Sequence, residues 1–188
     1  YENNVVGSLN LGKAAMDAGV DKFIFSSTAA VYGEPDEVPI PETAPKAPLN
    51  VYGRTKLMIE DMLEDFSNIY GLRYKALRYF NAAGADAEGD IGEDHDPETH
   101  LVPIIFQYVN GRRDRLCVFG DDYDTPDGTC IRDYVHVTDL ADAHLLALED
   151  LIRGGKSCAY NLGSEAGYSV LEIIRAASEV VGRSIEYD

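Results

Sequence analysis

Apolar positions along the chain recur with two alternating periods. From Val5 to Ala18 they fall at helical spacing, and the run stops at Gly19, the residue type that most often closes a helix. Lys22 to Ser26, "KFIFS", is a short apolar run that suits a buried parallel strand. Pro35, Pro39, Pro41, Pro45 and Pro48 then mark a loop. Helical spacing resumes at Gly53 and runs to Tyr70, with Gly71 as its stop, and "YKALRYF" reads as the next strand. Residues 84–98 are acidic and without period. Beyond them, helical patterns cover 101–110, 138–151 and 169–181, and short strand-like runs cover 116–119, 158–162 and 184–187. No internal repeat is present. This alternation predicts an α/β fold with a mainly parallel sheet. Ligands of such sheets sit at the carboxyl ends of the strands. The strands ending at Ser26 and at Tyr79–Phe80 therefore point at any site.

Composition narrows the partners. The chain of 188 residues is long enough for one domain with a real core. Sixteen Lys and Arg against 33 Asp and Glu leave a net charge of −17, which argues against nucleic acid and anionic membrane. A phosphorylated small molecule stays open if basic groups gather at the site. No apolar run is long enough for a bilayer-spanning helix. The opening "YENNVVGSLN" has no basic segment or cleavage site, so no secretory signal is expected, and with a start at Tyr1 rather than Met the native N-terminus is expected to be absent from this chain. Cys117, Cys130 and Cys158 are odd in number and far apart, as expected of reduced thiols in a cytoplasmic protein. The four histidines form no HExxH or i, i+4 pair, so no metal site is expected. The acidic loop carries Asp86, Glu88, Asp90, Glu93, Asp94, Asp96 and Glu98. Counted from Asp86, Ile91 stands where a calcium loop needs glycine, so the segment reads as a solvated loop.

Three further pieces carry chemistry together. "FSSTAAVYG" ends a strand with Ser26, Ser27 and Thr28; "LNVYGRTK" sets Tyr52 one helical turn before Lys56; "RYFNAAG" follows the next strand with Asn81. Taken singly, hydroxyls after a strand are turn formers, Tyr52 a packed aromatic and Lys56 a solvated charge. In this order on an α/β frame, the set resembles the extended short-chain dehydrogenase/reductase family, and within it the UDP-glucose (UDP-galactose) 4-epimerases. "YENNVVGSLNL", "FIFSSTAAVYGE", "PLNVYGRTKLMIE", "GEDHDPETHLVPII" and "DGTCIRDYVHVTDLADAH" extend the resemblance over essentially the whole chain. The chemistry explains the residue types. Oxidising a sugar alcohol removes the hydroxyl proton as hydride leaves carbon. A tyrosinate can take that proton, but free tyrosine has a pKa of about 10 and must be brought down. Positive charge from Lys56, on the same helix face, and from NAD would do so.

The resemblance implies a Rossmann-type NAD(P)-binding sheet, here its later part, with part of a smaller substrate lobe. Residues 1–81 would be the later half of the dinucleotide-binding domain, and 82–188 substrate-lobe segments interleaved with returning strands and helices. Tyr52, Lys56 and Thr28 would be catalytic. NAD would meet Asn3, Thr28, Tyr52, Lys56 and Phe80; the UDP-sugar would meet Thr28, Tyr52, Asn81, His100, Leu101, Cys117, Val118, Phe119 and Arg132. The 4-epimerases often carry Asn where His100 stands. The family pairs into homodimers through helices equivalent to Val5–Ala18 and Gly53–Tyr70. The latter shows two apolar stripes, Ile59, Leu63, Phe66, Tyr70 and Met58, Met62, Ile69. The family's glycine-rich phosphate turn is absent, since no GxGxxG or GxxGxxG occurs. The chain therefore looks like the middle of a longer enzyme. A nucleotide-sugar 4,6-dehydratase is the nearest alternative, but it uses an Asp-Glu pair after the Thr, where Ala29 and Ala30 stand. A non-catalytic dinucleotide-binding regulator would tend to lose Tyr52 or Lys56. An inert fragment, or a subunit completed by a partner chain, is the remaining reading.

Overall fold

The computed structural model describes residues 1–164 and 166–188. The chain divides into two compact units: Tyr1–Phe80 with Thr138–Gly163, and Asn81–Val137 with Ser164–Asp188.

The first unit is built on a parallel three-stranded sheet, β1 (Lys22–Thr28), β2 (Arg73–Tyr79) and β5 (Cys158–Leu162), ordered β1-β2-β5. Phe25 pairs with Ala76 and Thr28 with Tyr79 in one register, and Ala76 pairs with Ala159 in the next. Two helices pack here. A π-helical turn at Glu2–Val6 runs into α1 (Gly7–Asp17), and α2 spans Val51–Tyr70. Phe25, Ile59, Leu63, Leu72 and Ala76 form the buried core, with Met62 and Phe66 against it. The second apolar stripe on α2 therefore does not act as a unit: Met62 turns inward, while Met58 and Ile69 are exposed, as is Tyr70 of the first stripe. The two helices approach closely at Gly12, where a Cβ would lie 2.7 Å from the Phe66 ring. Residues 138–152 complete the unit as the greater part of α4 (Val137–Ile152).

α2 begins two residues earlier than its apolar period suggests. Asn50 is the reason: its Oδ1 accepts the Gly53 N–H at 2.7 Å and so caps the first turn. Tyr52 thus lies in that first turn. The helix ends where expected, at Gly71, whose φ of 76° is the left-handed conformation glycine tolerates.

The second unit holds β3 (Asn81–Ala83) parallel to β4 (Ile131–His136), with β6 (Gly167–Ser169) antiparallel on β4. Helices α3 (Leu101–Val109) and α5 (Val170–Val181) pack on a core of Ile105, Leu116, Ile174, Ala177 and Ile185. Ser169 and Glu172 cap α5 reciprocally, side chain to backbone N–H in both directions. The runs 116–119 and 184–187, expected as strands, are not ladder strands. They meet through one exchange only, Asp188 N–H to the Leu116 carbonyl and Val118 N–H to the Asp188 carbonyl, each 2.9 Å. Conversely β4 was not foreseen, because Arg132 and Asp133 interrupt its apolar pattern. Among the described residues no helix is long and apolar enough to cross a membrane.

Candidate active site

Tyr52, Lys56 and Thr28 converge in the first unit. Thr28 ends β1 in extended conformation and caps a short 3₁₀ turn, Ala29–Val31, its Oγ1 accepting the Ala30 N–H at 3.2 Å. A backbone N–H only donates, so the Thr28 hydroxyl proton is left to point elsewhere, and Thr28 lowers the Tyr52 phenol. Gly53 lets the start of α2 come this close: a Cβ there would sit 2.5 Å from the Ala30 carbonyl oxygen. Lys56, one turn on, holds its Nζ 5.6 Å from the Tyr52 ring centroid and 5.0 Å from that of Phe25. It donates to the Ser26 carbonyl at 3.0 Å. An ammonium has three N–H donors. Ser26 is thus tied twice, since its hydroxyl lies 3.0 Å from His144 Nε2 while His144 Nδ1 lies 2.7 Å from the Leu140 carbonyl. A carbonyl only accepts, so the neutral ring carries its proton on Nδ1 and accepts from Ser26 at Nε2.

Electrostatics here differ from the expectation of a depressed phenol. Burial pushes the Tyr52 phenol above its ordinary value, Tyr79 pushes the same way, and the Thr28 hydrogen bond pulls it back. Burial lowers the Lys56 ammonium. Both groups are about half buried, so each loses hydration that favours its charged form.

Behind these residues lies a buried polar network invisible to motif reading. Glu60 on α2 and Arg78 on β2 form a bidentate pair, Nε to Oε1 at 2.9 Å and Nη2 to Oε2 at 2.6 Å, each side chain 5 % exposed. The Ser27 hydroxyl donates to Glu60. Arg78 Nη1 donates to the Tyr32 hydroxyl at 2.6 Å and the Glu42 carbonyl at 3.2 Å. Tyr32 donates to Asn161 Oδ1, and Asn161 Nδ2 donates to the Ile40 carbonyl. The network grips both residues that flank the Thr28 turn, Ser27 and Tyr32, and pins the proline-rich loop. Asn4 ties the N-terminal turn to α2: its Nδ2 donates to Thr55 Oγ1 at 3.0 Å, and Thr55 donates to the Tyr52 carbonyl. Asn3 itself is exposed, and Phe80 is half-buried just past β2.

The remaining expected site residues lie in the second unit. Asn81 opens β3 and is exposed. His100 precedes α3 and pairs with Glu93 through Nδ1, and Leu101 is the first helical residue, packed against the core. Cys117 is half-buried, Val118 packs on the core, and Phe119 is 87 % exposed. Arg132 on β4 is exposed, with Nη1 on the Ile131 carbonyl.

A parallel sheet with a Tyr-Lys pair on one helix face and a hydroxyl at the adjacent strand end defines a short-chain dehydrogenase/reductase type of protein. The chain belongs to the NAD dependent epimerase/dehydratase family, which matches residues 1–163. It is 55% identical over 185 residues to a UDP-glucose 4-epimerase of Halalkalibacterium halodurans, covering 98% of this chain and 55% of that protein. Among solved structures it resembles the Brucella ovis UDP-glucose 4-epimerase in complex with NAD, with TM-score 0.97 and 53% identity over 100% of this chain and 58% of that one. The Bifidobacterium longum UDP-glucose 4-epimerase in complex with NAD+ and UDP follows with TM-score 0.92 and 41% identity, covering 100% of this chain and 57% of that chain. The chain thus spans little more than half the length of these relatives.

Proposed function

We propose that the protein containing this chain epimerises C4 of a UDP-hexose, interconverting UDP-galactose and UDP-glucose through a 4-keto sugar. The observation that carries the reading is the convergence of Tyr52, Lys56 and the Thr28 hydroxyl at the carboxyl end of β1. Tyr52 takes the C4 hydroxyl proton, Thr28 donates a hydrogen bond to the developing tyrosinate, and Lys56 favours that charge. Ala29 and Ala30 follow Thr28, so water elimination has no acid or base there.

The residues present fit the nicotinamide-ribose end of NAD. Lys56 donates to the Ser26 carbonyl and has two other N–H donors for ribose hydroxyls, and Tyr52 is half exposed beside it. They do not supply the phosphate-binding glycine turn, which is absent from this chain. When bound, NAD supplies reversible hydride acceptance at C4 and a positive charge near the phenol. That charge would act against the burial that pushes the Tyr52 phenol up. Asn3 and Phe80 belong to the cofactor side of the proposal. Asn81, His100, Leu101, Cys117, Val118, Phe119 and Arg132 belong to the nucleotide-sugar side. A cytoplasmic homodimer completes the proposal, supported by the reduced thiols and by the exposed apolar residues Leu11 on α1 and Met58 and Ile69 on α2.

The experiment is to incubate the complete enzyme and NAD with UDP-galactose and resolve the products by ion-exchange chromatography. UDP-glucose should form in wild type and be reduced about 10²–10⁴-fold in rate in Tyr52→Phe. An unchanged UDP-galactose pool, or a Tyr52→Phe rate within threefold of wild type, would overturn the reading.

A further inference from the structure

Two short sequence pairs in the acidic loop, Glu93-Asp94-His95 and Glu98-Thr99-His100, are brought face to face. Each contributes a carboxylate and an imidazole, and one ligating atom from each of the four side chains lies within 4.8 Å of all the others. Glu93 Oε1 lies 2.9 Å from His95 Nδ1 and in direct contact with His100 Nδ1. Glu98 Oε1 lies 3.8 Å from His95 Nδ1 and 4.0 Å from His100 Nδ1. The two imidazoles meet edge to face, their centroids 5.1 Å apart.

We propose that Glu93, His95, Glu98 and His100 form a binding site for one divalent transition-metal ion of the zinc class. The geometry supports this in three ways. First, zinc holds nitrogen and oxygen ligands at about 2.0–2.2 Å, so neighbouring ligand atoms in a tetrahedron stand about 3.3–3.6 Å apart. The measured separations of 2.9, 3.8 and 4.0 Å bracket that edge, and closure needs shifts of well under an ångström at most of them. Second, the donor set is imidazole plus carboxylate with no thiolate, which suits zinc and its first-row neighbours better than calcium or copper(I). Two carboxylates and two neutral imidazoles leave a charge of −2 for the ion to cancel. Third, one ligand is already fixed. The Glu98 side chain is only 3 % exposed, and its Oε1 accepts the Thr99 and His100 N–H groups at 2.7 and 2.8 Å. Such outer bonds orient a metal-binding carboxylate before the ion arrives. The other three side chains are more exposed, which gives the ion a way in. The proposal goes beyond the epimerase reading and does not depend on it. It runs against the expectation drawn from histidine spacing, because a search for i, i+4 pairs passes over a pair five residues apart.

The test uses the full chain, stripped with chelator and dialysed. Zinc chloride is titrated in by calorimetry, and cobalt(II) is followed by the visible absorption of a low-symmetry, four-coordinate ion. One ion per chain should bind at micromolar concentration. His95→Gln, His100→Gln and Glu93→Gln should each weaken binding by at least the roughly 10–100-fold seen when even an outer partner is lost. Circular dichroism checks that each variant folds; Glu93→Gln decides alone if the histidine variants do not. Absence of saturable binding at micromolar zinc overturns the proposal and leaves the four groups as a hydrogen-bonded imidazole–carboxylate cluster. Undiminished binding in the folded variants also overturns it, since the metal would then sit on the cysteines or the other histidines.

Discussion

Replacing Arg78 by Met tests what holds the strand-end hydroxyls in place. The substitution keeps the length and most of the apolar stem. It removes two hydrogen bonds to Glu60, one to the Tyr32 hydroxyl and one to the Glu42 carbonyl. Glu60, 5 % exposed at its side chain, is left with the Ser27 hydroxyl and with Lys46 Nζ at a distant 3.9 Å. Breaking a buried pair from one side costs about 3–5 kcal/mol, because the remaining charge stays desolvated without its partner. For a chain of this size that lowers the melting temperature by roughly 6–20 °C. Removing both charges, as Arg78→Met with Glu60→Leu, should recover most of the loss, since an apolar pair of similar volume carries no desolvation penalty. The assay is guanidinium unfolding followed by circular dichroism, with all four members of the double-mutant cycle. A single Arg78→Met variant within 1 kcal/mol of wild type, taking about 3 kcal/mol as the smallest loss expected, would refute the reasoning. So would a double variant no more stable than the single one, because the desolvated Glu60 charge could not then be the cause.

Other outcomes follow from the same structure. Lys56→Met in the complete enzyme should slow turnover and move the rate-limiting pKa upward, read from a pH–rate profile, because the charge favouring tyrosinate is gone. In the chain without cofactor, the ultraviolet absorbance difference between wild type and Tyr52→Phe should show Tyr52 ionising above the ordinary tyrosine range, since burial is the largest influence on it; ionisation below that range would contradict the assigned environment. Asp127 is held below the ordinary carboxylate range by the Ser169 hydroxyl and by the Thr129 N–H and hydroxyl. Its contribution to stability is therefore present above the unfolded carboxylate pKa and lost as pH falls through the lowered value, and Asp127→Asn should flatten that acid limb in unfolding measured across pH. Calorimetry of the 188-residue chain with NAD should show binding far weaker than micromolar, because no glycine-rich phosphate turn occurs in it.

Local sequence determined the parts of this protein that depend on neighbours along the chain. Apolar periods, Asn50 and Gly71 set α2 to within two residues, and the spacing of Tyr52 and Lys56 placed both on one face of it. Short apolar runs located β1, β2 and β5, because at least one face of each strand packs into the core. Tertiary structure alone decided whatever depends on which distant residues meet. Nothing local in the sequence pairs Glu60 with Arg78, and only the packing of α2 on β2 makes them a buried pair that grips Ser27 and Tyr32. Asn4 reaches Thr55 only through the packing of the π-helical turn against α2. The four side chains of the acidic loop carry no recognisable ligand spacing and gather only because the loop folds back on itself. Even the ionisation of Tyr52 was not a property of its motif: burial and Tyr79 push the phenol up, and Thr28 pulls it back. Periodicity is a property of the chain, whereas desolvation and charge pairing are properties of the enclosed volume that the chain creates.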